Sequence, residues 1–130
     1  MANEAILRVR LDNPIDFTVA DGAGIGKGTV CQLTDPVTAS ASAADGNLFA
    51  GIAAREKVAS DGRTRLACFR RGIFDMVTTG TVTIGQLVTI GGANIVKAVA
   101  AGEAESGAVV GQALEAASGG EVIQVLVGSA

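Results

Sequence analysis

The chain of 130 residues contains no histidine, no tryptophan and no tyrosine. Histidine is the commonest general base, the commonest metal ligand and the usual switch near neutral pH, so its absence removes the ordinary equipment for all three. No Ser-His-Asp or Cys-His pairing can be assembled, and no Gly-x-Ser-x-Gly nucleophile elbow occurs. Carboxylate-only glycosidase chemistry is formally left, but sugar sites usually offer Trp or Tyr platforms, which this chain lacks. Aromatics amount to 3%, carried by Phe17, Phe49, Phe69 and Phe74. Large aromatic side chains supply much of the burial per residue in cores and interfaces. The core is therefore expected to be thin and aliphatic, and an isolated subunit to gain from neighbours. A long apolar run is also missing, so no segment reaches the ~20 residues of a membrane span. The start Met1-Ala2-Asn3-Glu4 has no basic segment followed by an apolar one, so no signal peptide is expected.

Excess positive charge is absent as well. The chain has 10 basic and 13 acidic residues, for a net charge of −3, which does not fit a basic nucleic-acid binder. Binding to single strands needs aromatics stacked along a basic groove, and the few Phe sit mostly in strand-like runs. The charges are unevenly placed. Arg55, Lys57, Arg63, Arg65, Arg70 and Arg71 lie together, offset by Glu56 and Asp61, whereas after Lys97 every charge is acidic: Glu103, Glu105, Glu115 and Glu121. Such asymmetry lets one region of a subunit dock on another region of its neighbour or of a partner; the alternative is an ordinary solvated surface.

Only Cys31 and Cys68 are present, without Cys-x-x-Cys spacing, so they form neither a metal site nor a redox motif. Free Cys packs as a small hydrophobe, and the apolar runs around both point to buried thiols, with a disulfide between them left open. The segment Asp21–Thr29 invites a phosphate-loop reading, but aligning Gly26-Lys27 puts Asp21 at the first glycine and Gly28 at the hydroxyl position. The residues that follow are β-prone and end at Pro36, where such a loop must open a helix. Asp12, Asp16 and Asp21 are oxygen ligands that calcium accepts, yet their spacing matches no calcium loop, and solvated carboxylates are the expectation. No catalytic residue, cofactor or metal is expected.

What is present is a phrase stated twice. Gly28-Thr29-Val30-Cys31-Gln32-Leu33, then Phe49–Ala53, is followed by Gly85-Gln86-Leu87-Val88-Thr89-Ile90, then Val109–Leu114. The glycines recur at offsets of 57 and 60 residues (Gly28 to Gly85, Gly51 to Gly111). Each phrase reads as a glycine turn, a short strand, a polar loop and another strand. Leu7, Val9 and Leu11 alternate with polar residues, as do Ile15, Phe17 and Val19; a period of two argues strands with one wet face. Asp21-Gly22, Asp61-Gly62, Gly91–Asn94 and Ser118–Gly120 supply turns. The stretch TASASAADG from Thr38 to Gly46 has no apolar face and reads as a surface loop. Helical signal is weak, with at most a turn or two in Ala53–Ser60 and Ala98–Glu105.

These features predict an all-β fold, a small jelly-roll-like sandwich or barrel of about ten short strands with little helix. Residues 1–14 read as an N-terminal arm or edge strand. Residues 15–130 read as one β domain with related halves at about 28–70 and 85–127. The segment Glu4–Asp12 can add to a partner's sheet, where main-chain bonds supply affinity and alternate side chains supply specificity, or form an ordinary edge of its own domain. The candidate contact residues are Ala5, Ile6, Leu7, Arg8, Val9, Arg10 and Leu11.

The pieces Gly28-Thr29-Val30, Leu48–Ala53, Arg71–Phe74, Ile84–Val88, Val110–Leu114 and Val125-Leu126-Val127 span most of the chain. In order and spacing they resemble the small capsid cement, or head decoration, proteins of tailed bacteriophages. The resemblance implies a non-enzymatic structural subunit, made in the host cytoplasm and placed on the outer surface of the virion shell. Such a subunit clamps neighbouring major capsid proteins and associates with itself, a homotrimer being favoured and a homodimer possible. The longer start, Met1 to Pro14, departs from many such proteins. The rival readings are another phage structural module of tail, baseplate or adhesin type, a small carboxylate enzyme, and a nucleotide or DNA binder at the Gly22–Gly28 loop.

Overall fold

Period-two alternation and closely spaced turns favour strands over helices, and no helix occurs among the residues described by the computed structural model, 3–43, 47–99 and 108–128. The chain is all-β. Its strands are β1 (Ile6–Arg10), β2 (Ile15–Thr18), β3 (Val30–Asp35), β4 (Thr38–Ala41), β5 (Phe49–Ala53), β6 (Arg65–Phe69), β7 (Gly72–Thr78), β8 (Leu87–Gly92), β9 (Ile95–Ala98), β10 (Val109–Ala113) and β11 (Val122–Val127).

The strands close into two small barrels, an arrangement more specific than a jelly-roll-like outline. β2, β4, β3, β5 and β6 form the first ring. β7, β11, β10, β8 and β9 form the second, closed where β7 meets β9, and β1 is added along the outside of β7. Among the described residues each ring has a single parallel pairing at the same place, Thr18 with Thr38 and Val77 with Ile95. Closure removes the open edges that a flat sheet would leave.

The repeated phrase falls on matching positions of the two rings. Gly28 donates to the Ala53 carbonyl and Gly85 to that of Ala113, both at 2.8 Å. Ser42 donates to Val30 as Val99 donates to Leu87. The isolated bridges Ile25–Lys57 and Val82–Ala117 also correspond. The strand order starts each unit one strand before the repeated phrase, at Ile15 and Gly72.

Small residues explain how such narrow rings fill. The first interior holds Phe17, Cys31, Ala39, Ala50, Leu66 and Cys68, among others, and the second holds mainly valine and isoleucine around Phe74 and Met76. Gly51 lies where two backbones touch: a Cβ there would stand 2.8 Å from the Phe69 carbonyl oxygen and 2.9 Å from Cys68 Cβ. The stretch expected to be a loop from Thr38 is a correction, because Thr38–Ala41 forms β4. Ala39 faces inward and is buried, and a tight ring needs nothing larger there. Residues 44–46 of that stretch lie outside the described residues. Nor is Ala53–Ser60 helical: Ala53 ends β5 and Lys57 bridges to Ile25. The other weak helical stretch, Ala98–Glu105, ends β9 at Ala98, and its residues 100–105 lie outside the described residues.

The two barrels meet along the outer side of the first. Val30, Phe49, Ile52 and Phe69 belong to the same buried cluster as the second barrel's interior. Side chains that alternate out of the first ring are thus as dry as those inside it; burying each contributes roughly 1.5–3 kcal/mol. Phe69 and Phe74 pack with ring centroids 5.8 Å apart. Asn94, at the β8–β9 turn, accepts a hydrogen bond from the Val30 amide at 2.8 Å, and its own amide donates to Ser42 Oγ at 3.2 Å.

Candidate partner-binding surface

The alternation that makes β1 a strand does not bury one of its faces, as the sequence predicts. All of Ile6–Arg10 is exposed. Ring closure explains this, because β1 lies outside a barrel already complete without it. Of the candidate contact residues, Ala5 alone is buried; its amide donates to the Gly28 carbonyl at 2.7 Å, tying the arm to the first barrel. Ile6, Leu7, Val9 and Leu11 are large apolar side chains left in solvent. Ile6 opposes Asp75 and Leu7 opposes Phe74; after a bulge Val9 opposes Ile73 and Arg10 opposes Gly72.

Charged side chains add contacts along the arm. Arg8 Nε lies 3.2 Å from an Asp75 carboxylate oxygen. Arg10 donates to Asn13 Oδ1 at 2.6 Å, and its guanidinium stands 5.8 Å from the Phe69 ring centroid, which links the arm to the joint between the barrels. Such a cation–π contact is worth about 0.5–1 kcal/mol at an exposed site. The arm therefore completes the chain's own sheet on one side. On its other side β1 is the last strand of the order, with no further strand paired to it among the described residues, the arrangement that β-augmentation uses. Beneath it opens a cleft of about 560 Å³ floored by Ala53, Ala54, Phe69 and Phe74, with Glu4 and Lys27 among its lining residues.

The other motifs are placed apart from the arm's outer side. Lys27 is exposed, and Thr29 leads into a strand with no helix behind it. Asp12 caps the Asn13 amide, whereas Asp21 binds Lys57, so the loop carboxylates do not converge. Among the described residues no group of three metal-ligating acidic or cysteine side chains comes together.

Sequence reasoning missed Lys57. It is only 2% exposed and spans an end of the first barrel, where the second has Ala117. Its ammonium donates to Asp61 Oδ1 at 2.8 Å, Asp21 Oδ1 at 3.1 Å, and the carbonyls of Asp21 and Val58, both at 2.9 Å. Burial disfavours the charged form, yet the hydrogen bonds that the ammonium donates to Asp61 and Asp21 outweigh it and raise the lysine pKa. The hydrogen bond from Lys57, helped by the Arg63 amide, pulls Asp61 down to about 2. A lysine held this firmly as a cation is a structural staple and a poor nucleophile. Cys31 and Cys68 are free and buried; their mutual hydrogen bond and burial push the Cys31 thiol up, away from the reactive thiolate.

No family model matches this chain, and no curated protein matches it. No helix among the described residues is long and apolar enough to cross a membrane.

Proposed function

We propose that this protein is a structural cement subunit that binds the outer surface of an assembled viral shell. In this reading it bridges neighbouring major capsid proteins and associates with copies of itself. The observation that carries the reading is the arm: a strand with exposed apolar side chains at Ile6, Leu7 and Val9, an outer edge that no strand covers among the described residues, and an anchor to both barrels. A strand so placed adds to a partner's sheet without unfolding its own body, because both barrels close without it. The phrases that resemble phage decoration proteins support the same reading, and a symmetric shell multiplies each small contact into avidity.

Expanded empty heads mixed with the purified protein test this. The intact chain should coat them, and a chain lacking residues 1–12 should bind more weakly while its barrels stay folded by circular dichroism. Failure of the intact chain to coat heads would sink the cement reading and favour a tail, baseplate or adhesin role. Equal occupancy by the truncated chain would remove the arm from the mechanism.

A further inference from the structure

The internal repeat leaves each half of the inter-barrel joint unused once. On the first barrel, Val30, Phe49, Ile52 and Phe69 form the outer face that the second barrel covers. The strand offsets, 57 residues for Val30 and Phe69 and 60 for Phe49 and Ile52, carry these positions to Leu87, Leu126, Val109 and Gln112. All are only partly buried. They are neighbours by register: Leu87 opposes Gln112, which opposes Leu126, which opposes Ile73, which opposes Val9. The second barrel thus presents the face that its twin has already covered, apolar at Leu87, Val109 and Leu126, with Gln112 between them turned to donate to the Gly85 carbonyl at 3.0 Å.

The opposite half of the joint is equally free. The second barrel meets the first through Asn94 and Phe74. Their equivalents on the first barrel are Val37 and Ile15, which are 58% and 52% exposed, against 1% for each of Asn94 and Phe74. Val37 and Asn94 share the left-handed backbone, with φ of 49° and 58°. That conformation is uncommon for a β-branched residue, so the turn holds an apolar side chain at its tip at some cost in strain. The chemistry at the two ends matches. Within the chain, polar Asn94 meets polar Ser42; the equivalent pair is Val37 with Val99, and both are apolar.

We propose that a second copy of this chain seats its Val37 turn and Ile15 on the outer face of the second barrel, against Leu87, Val99, Val109 and Leu126. The contact repeats between chains the joint that holds the barrels within one. It is heterologous, so successive copies meet head to tail and close into a ring when the rotation allows. It deepens the self-association in the reading above but needs no shell, so it is tested on the purified chain alone.

The test is the solution mass of the full chain and of Val37→Asp and Leu126→Asp variants, alone and mixed. The wild type should run as a multiple of 12.9 kDa and each variant as a folded monomer. An equal mixture of the variants should form a dimer and stop there, because each brings one intact half. A monomeric wild type, variants that keep the wild-type mass, or a mixture that stays monomeric would each overturn the contact. Val37 sits at an exposed turn, so its variant carries the test if Leu126→Asp fails to fold. In Val37→Asp the amides of Leu87 and Val109 should exchange faster than in wild type, and unchanged exchange counts against the proposal. Capsid coating is a separate measurement, and either reading can fail without the other.

Discussion

Asn94 Oδ1 accepts the backbone hydrogen of Val30, 64 positions away, at 2.8 Å in a dry environment. The bond joins the turn of one barrel to the wall of the other. Asn also suits the left-handed conformation at this position, φ 58°. Asn94→Ala leaves the Val30 amide buried without its acceptor, which costs about 1–3 kcal/mol, and adds about 1 kcal/mol of backbone strain. The urea midpoint should fall accordingly. A loss within error of zero would mean that the joint does not depend on this bond.

The second barrel has Val88 where the first has Cys31 and Val125 where the first has Cys68, and all four side chains are fully buried. The thiols therefore occupy valine sites. Cys31→Val and Cys68→Val should each change stability by less than about 1.5 kcal/mol, as volume-conserving swaps do. Wild-type thiols should be alkylated only on unfolding. Rapid labelling of the native protein would show a reactive pair that this packing does not predict.

The Lys57 staple makes stability depend on pH in a defined window. Asp61 is depressed from 3.8 to about 2 in the folded state, so its contribution is present above the unfolded value and is lost as pH falls through 3.8 toward 2. Lys57 is raised above 10.5, so its contribution is complete below that value and is lost as pH rises beyond it. Lys57→Met should flatten both limbs of the profile of urea midpoint against pH. Parallel profiles for wild type and variant would show that the ion pairs do not control the acid limb.

Gly28 and Gly85 separate two costs of the same substitution. Both have positive φ, 87° and 82°. A Cβ on Gly28 would collide with the Ala5 carbonyl oxygen and approach Glu4 Cβ at 3.0 Å, whereas at Gly85 the nearest atom is Gln112 Nε2 at 3.9 Å. Both Ala variants should lose about 1–2 kcal/mol to backbone strain. Gly28→Ala alone should release the arm, with faster tryptic cleavage at Arg8 and Arg10. Equal cleavage in the two variants would separate the arm from its anchor at Gly28.

Repetition was legible because a left-handed glycine such as Gly28 or Gly85 has few substitutes, and alternation around Phe17 or Val125 marks a wall residue. β4 was hidden because Ala39 fills its inward position with a single methyl group, which leaves no apolar signal. The arm read as a half-buried strand; its alternation is real, but β7 stands between it and any interior. The joint was invisible for a different reason. Val30 and Ile52 point out of one barrel and into its neighbour, and burial from outside has no periodic signature. Lys57 was opaque because its partner Asp21 is close only after β2 and β6 pair. Of the arm residues, Ile6–Arg10 form the strand that their alternation predicts, and Ala5 and Leu11 flank it.

The arm's position also sets an order of assembly during synthesis. Each ring draws all its strands from one contiguous stretch, Ile15–Phe69 and then Gly72–Val127, so each can fold as a unit as the chain lengthens. β1 is made before either, yet its mate β7 lies beyond the whole first ring. β1 therefore cannot settle until the whole first ring and β7 have been made, and until then its greasy edge stays available to whatever the nascent chain encounters.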